Sequence, residues 1–163
     1  MSRIMVVIGI AVVALAVAAC GGSSGGSSGG AYASGSTASK PTSGKGSVAL
    51  ASTKLGKVLV DGSGRTLYLF EADKGTMSNC DGACASAWPP LTTSGKPTAG
   101  AGVIASKLGT AKRADGTTGV TYAGHPLYTF EGDGAPGQTA GEGLTDFGGA
   151  WYALSAAGKT VVG

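Results

Sequence analysis

Histidine is almost missing from this chain: His125 is the only one among 163 residues. A multi-His metal site is therefore excluded, and a Ser–His–Asp triad would have to use that one residue. Charge is sparse too, at 13% of residues with a net charge of +3. So small a basic excess gives no electrostatic footprint for nucleic acid, and no nucleic-acid partner is expected. The chain has no G-x-S-x-G elbow, no Walker loop and no H-E-x-x-H. Its 31 glycines follow no G-x-y period, which excludes collagen. Glu71 and Asp73 lie two apart, on one face of an extended strand, whereas a glycosidase needs two carboxylates flanking a cleft. No catalytic residue is assigned, and an enzyme is not the favoured reading.

What is present begins with an address. Arg3 is followed by sixteen uncharged residues, Ile4 to Ala19, short of the roughly 20 apolar residues that span a bilayer. A positive start, an apolar run and a small-residue end describe an export signal over residues 1–19. Val17-Ala18-Ala19-Cys20 resembles the bacterial lipobox, in which the Cys becomes the mature N-terminus and carries diacylglycerol. Two acyl chains of the palmitate type hold a protein on a membrane without a span, at about 0.8 kcal/mol per buried CH2. The resemblance implies lipidation at Cys20 and a place on the extracytoplasmic face of a bacterial cell membrane. Residues 21–47 contain 9 Gly and 9 Ser. With Cys20 they read as a disordered tether (20–47), with a root-mean-square span of about 5–6 Å × √27, or roughly 30 Å.

From Val48 the pattern changes, and residues 48–163 read as one all-β domain, an antiparallel sandwich or curled sheet. Val58–Asp61 and Arg65–Glu71 flank Gly62-Ser63-Gly64 as a hairpin. Val120–Ala123 and Leu127–Glu131 flank Gly124-His125-Pro126 as another. The two are copies. Leu67-Tyr68-Leu69-Phe70-Glu71-Ala72-Asp73 matches Leu127-Tyr128-Thr129-Phe130-Glu131-Gly132-Asp133 at an offset of sixty, as Val60 matches Val120. Trp88 and Leu91 match Trp151 and Leu154 at sixty-three. Two diverged repeats, about 48–100 and 101–163, follow. Tyr68 and Phe70 share one strand face and Leu67 and Leu69 the other, so the strand should lie between two apolar layers. The aromatics read first as core and second as a stacking surface for a ligand. Asp73 and Asp133 read as turn caps, with a Ca²⁺ role alongside Glu71 and Glu131 as the alternative.

Y-x-F-x-x-D twice, C-x3-C followed by Trp88-Pro89-Pro90-Leu91, and Gly124-His125-Pro126-Leu127-Tyr128 together resemble a secreted-repeat lipoprotein family. That family is marked by a Yx(F/W/Y)xxD motif and has no established activity. The resemblance marks Tyr68, Phe70, Asp73, Tyr128, Phe130 and Asp133, with Cys80, Cys84, Trp88 and Trp151. It implies a surface lipoprotein and no catalytic residues. Gly119 departs from the pattern, since Gln is expected there.

Cys80 and Cys84 are an even pair in an exported chain, which favours a disulfide. One short helical turn should follow over Ala83–Trp88, ended by Pro89-Pro90. A redox-active pair is the alternative, as is a copper site formed with His125 and Met77; otherwise no cofactor is expected. His125 otherwise reads as an exposed turn residue. These readings converge on a lipid-anchored, non-catalytic binding or envelope-structural module whose partner is an envelope ligand or protein. A copper- or redox-handling lipoprotein is the second reading, and a cell-wall hydrolase a weaker third.

Overall fold

The computed structural model describes residues 46–163. The export signal, Cys20 and the expected tether up to residue 45 lie outside the described residues. Strand structure starts one residue before the expected boundary, because Ser47 already pairs and is buried.

The described residues form nine strands and two short helical turns. Strand β1 (Ser47–Thr53) pairs antiparallel with β2 (Gly56–Asp61) and parallel with the short β4 (Thr98–Ala99). Strand β3 (Tyr68–Phe70) pairs with β9 (Gly149–Ala153), which pairs in turn with β8 (Thr145–Asp146). Strands β5 (Leu108–Lys112), β6 (Thr118–Tyr122) and β7 (His125–Pro126) form the third sheet in that order. A helical turn, α1 (Ala83–Ala87), precedes Trp88, and a 3-10 turn covers Ala105–Lys107. The all-β reading stands, with one parallel pair in an otherwise antiparallel set.

Alternation along the strands builds two apolar layers. Val58, Val60, Tyr68, Phe70 and Tyr128 pack into one cluster with Trp88 and Trp151. Leu59, Leu67, Leu69, Val120 and Leu127 pack into the other. Neighbours in the chain thus go to opposite layers, as a period of two requires. Full burial of each large side chain is worth about 1.5–3 kcal/mol.

The two repeats are related by a pseudo-twofold axis. Tyr68 N–H donates to Tyr128 O (2.8 Å) and Tyr128 N–H donates to Tyr68 O (3.0 Å). Each is the other's counterpart at the sixty-residue offset, and a residue pairs with its own copy only across a twofold axis. The rest obeys the same operation. Tyr68 pairs with Ala153 as Tyr128 pairs with Pro90. Glu71 N–H donates to Ala150 O (2.9 Å) as Glu131 N–H donates to Ala87 O (3.0 Å). Each Trp-bearing segment therefore pairs with the other repeat's Tyr-Phe strand. The repeat boundary near residue 100 separates two copies in sequence without separating two cores.

Two details differ from the sequence reading. The counterpart of Val120 is Leu59, because Leu67 N–H donates to Leu59 O and Leu127 N–H donates to Val120 O. The first turn holds one more residue than the second, so the Val60–Val120 match is a slip of one. The second turn is Ala123-Gly124, both at positive φ (51° and 88°). That places His125 in β7, half-buried and paired with Tyr122, and not in a turn.

Candidate functional site

The residues of the repeated motif meet at the pseudo-twofold axis, and they meet crosswise. The Tyr68 hydroxyl of the first repeat donates to Asp133 Oδ2 of the second at 2.7 Å. The Tyr128 hydroxyl of the second donates to Asp73 Oδ2 of the first at 2.8 Å. The remaining oxygens cap loops: Asp73 Oδ1 accepts Asn79 N–H and Asp133 Oδ1 accepts Ala140 N–H, both at 2.7 Å. The turn-cap reading of the two aspartates is correct as far as it goes. It misses the tyrosines, because nothing in a linear motif shows that its Tyr belongs to the other copy's Asp.

Between the crossed pairs lies a stack of four rings. Trp88 and Trp151 are parallel to within 3° with centroids 3.9 Å apart. Phe70 stacks outside Trp151 at 4.1 Å and Phe130 outside Trp88 at 4.3 Å. Tyr68 meets Trp88 edge-on at 5.4 Å, and Tyr128 meets Trp151 edge-on at 5.2 Å. The aromatics are core, and both tryptophans are fully buried. Gly141 is required here: a Cβ on it would lie 2.8 Å from Trp88 Cη2 and 3.0 Å from Tyr68 Cζ.

The halves differ where chemistry could arise. Trp151 Nε1–H donates to Asp146 O (3.4 Å) in the β8–β9 hairpin. In the first repeat α1 occupies the corresponding stretch, and Trp88 Nε1 has no partner among the described residues. Asn79 and Ala140 cap equivalent aspartates, so Cys80 stands where the second repeat has Gly141. Cys80 and Cys84 are joined in a disulfide with Cα atoms 5.1 Å apart. Closing so short a loop stabilises the fold by about 2 kcal/mol in the chain-entropy account. The buried Arg113 guanidinium donates to Cys80 O (2.7 Å) and Ser78 Oγ (2.6 Å). Ser78 Oγ lies 2.7 Å from Tyr128 Oη. A carboxylate only accepts, so the Tyr128 proton goes to Asp73 and Ser78 gives its own to Tyr128. Arg113, Ser78, Tyr128 and Asp73 thus form one directed chain. Gly119 lies beside Arg113, its Cβ position 3.5 Å from Arg113 Cδ.

The copper alternative rests on Cys80, Cys84, Met77 and His125. Both sulfurs are spent on each other, Met77 is exposed, and His125 lines a depression with Asp73 and Glu71. No group of three or more His, Cys, Asp or Glu suited to a metal occurs among the described residues. That depression (≈ 570 Å³) and one lined by Arg65, Glu131 and Asp133 (≈ 350 Å³) are pseudo-equivalent. Arg65, the counterpart of His125, donates to Phe130 O (2.7 Å) and lies 3.6 Å from Glu131.

Burial pushes the Tyr68 hydroxyl far above its usual range, and the Asp133 acceptor adds to it. Burial likewise raises Tyr128. Both remain neutral donors across physiological pH. Burial also raises Asp73, outweighing the Asn79 N–H and Tyr128 hydroxyl bonds and the charges of Arg113 and His125. A carboxyl raised on folding costs stability when ionised. That cost is absent below its unfolded value, near 3.8, and complete above its folded value. Asp73 should therefore add stability as pH falls through the interval just above 3.8. Urea titrations of the wild type and Asp73→Asn across that interval check this. The difference between them should shift toward the wild type on acidification; a shift the other way contradicts the burial effect.

What these parts define is a tandem-repeat all-β domain clamped by its own motif. The chain belongs to the family described as a secreted repeat of unknown function, whose model matches it twice, over residues 49–92 and 109–155. No curated protein and no solved structure matches it.

Proposed function

We propose that this chain is a lipid-anchored, extracytoplasmic module with a non-catalytic binding or envelope-structural role. The observation that carries the reading is the crossed Tyr–Asp clamp. The groups that recur in both repeats are engaged with each other, which suits a frame that presents a surface. Membership of a secreted family and the Val17–Cys20 lipobox support the anchor. An acylated Cys20 followed by a Gly/Ser-rich stretch would hold the domain at the membrane while letting it reach envelope partners. Among the described residues no helix is long and apolar enough to cross a membrane, and the anchor reading requires none.

Fractionation of an expressing bacterium tests the reading. The wild-type chain should sediment with membranes and carry a diacylglycerol-sized mass on a mature N-terminal Cys20. Cys20→Ser should be released or retained as unlipidated precursor. Membrane retention of a processed Cys20→Ser chain would refute the anchor.

A further inference from the structure

The pseudo-twofold axis relates β1 to β5, and the two strands differ in what covers their outer edges. In the first repeat β4 covers β1. Thr98 N–H donates to Gly46 O (3.0 Å), Gly100 N–H to Val48 O (2.7 Å), and Leu50 N–H to Ala101 O (3.4 Å). At the sixty-residue offset, Val48 and Leu50 correspond to Leu108 and Thr110. Strand β5 is the edge of its sheet. Lys107 O accepts Ala123 N–H and Arg113 N–H donates to Thr117 O, which fixes the alternation. Gly109 and Ala111 turn their backbone groups toward β6, so Leu108 O, the Thr110 N–H and C=O, and Lys112 N–H face outward. These outward groups have no partner among the described residues.

A groove of ≈ 760 Å³ runs along this edge. Leu108, Gly109 and Thr110 form one wall, and Lys96, Thr98 and Ala99 belong to the other. Strand β4 uses the amides of Thr98 and Gly100 on β1, which leaves Ala99 N–H and C=O on the side away from β1. The groove is thus flanked by backbone of two strands, and most of its lining side chains are small, Thr98, Ala99, Ala105, Gly109 and Thr110 among them, which leaves that backbone accessible. Its charge has one sign. Lys96 is the only ionisable residue in the lining, and Lys107 and Lys112 bracket β5.

We propose that the outer edge of β5 binds an extended acidic peptide segment as an added strand, parallel to β5 as β4 is to β1. The first repeat displays the bound form, with β4 as the occupant. Main-chain bonds to Leu108 and Thr110 give affinity, and the three lysines select carboxylates. They also disfavour a second copy, because two β5 edges in antiparallel pairing would gather the lysines of both copies along one seam. The inference rests on the binding-module reading and deepens it. A chain released by Cys20→Ser that binds no peptide would leave the anchor standing and make the module purely structural.

The test pans a displayed library of random heptapeptides on the exported Cys20→Ser chain. Peptides rich in Asp and Glu and free of Pro should be enriched, and a synthetic copy of one should slow amide exchange at Thr110 and Lys112. Thr110→Pro removes an outward N–H and no β5–β6 bond. It should weaken that peptide at least about fivefold, the worth of one net hydrogen bond, with an unchanged melting temperature. Lys96→Glu should lose the acidic preference. The proposal is overturned if the same peptides are enriched on Thr110→Pro, or if none are enriched on the wild-type edge. It is also overturned if Thr110 is already protected in the free monomer, which would make residues of this chain the occupant, or in a dimer, which would make it a second copy. Should Thr110→Pro fail to fold, the exchange measurement on the unaltered edge decides.

Discussion

Trp88→Ala is expected to lower stability by about 3–5 kcal/mol, the range for deleting a fully buried tryptophan. Domains of this size hold about 5–15 kcal/mol in all, so a large part of the margin rests on one side chain. Trp88 has no exposed surface, stacks on Trp151 and Phe130, and meets the edge of Tyr68. Its removal opens a cavity that a rigid ring stack cannot collapse to fill. Trp151→Ala should cost about as much, since its surroundings are the mirrored set. The phenylalanine variants should separate the two sites. Trp151→Phe gives up the bond to Asp146 O, whereas Trp88→Phe removes a buried N–H that has no partner. The second change should therefore be the milder. Urea unfolding of the four variants measures this; a Trp88→Ala cost below about 1 kcal/mol would show that the stack is not the core.

Asp133→Ala is expected to cost about 2–6 kcal/mol, because it strips the acceptor from two donors at once, each worth about 1–3 kcal/mol when left buried and unpaired. Those donors are the Tyr68 hydroxyl and Ala140 N–H, and Asp133 itself is 3% exposed. Asp73→Ala should cost less. Asp73 is only partly buried, so water can take over part of its role. Unfolding midpoints of the two alanine variants give the comparison, and an Asp73 cost exceeding that of Asp133 would contradict it.

Much of this was legible in the sequence, for identifiable reasons. The sixty-residue offset between Tyr68 and Tyr128 announced a duplication, and strand alternation placed Leu67 and Leu69 in a different layer from Tyr68 and Phe70. The Cys80–Cys84 pair, the helical turn before Pro89 and the core role of the tryptophans were readable from local chemistry. The hidden part is what the twofold axis creates. A repeat seen in a linear chain looks like two hairpins side by side, and it gives no sign that Trp151 pairs with Phe70. The crossing of Tyr68 to Asp133 has a cue only in hindsight: a motif that keeps both a donor and an acceptor can pair with its own copy. Strand β1 is hard to read because Ser47–Thr53 mixes small residues with only two large apolar ones, and one of its partners, β4, lies at the far end of the same repeat. The Val60–Val120 identity misled, since a turn one residue longer shifts the true partner of Val120 to Leu59.

The central claim is that the motif acts across the repeats, and a pair of double-mutant cycles tests it most directly. One cycle combines Tyr68→Phe with Asp133→Asn, and the other combines Tyr68→Phe with Asp73→Asn. The crossed arrangement predicts a coupling of about 1.5–3 kcal/mol in the first, the range for a hydrogen bond to a charged group, and none within error in the second. Coupling between Tyr68 and Asp73, with none between Tyr68 and Asp133, would mean that each repeat closes on itself, and the clamp would be refuted.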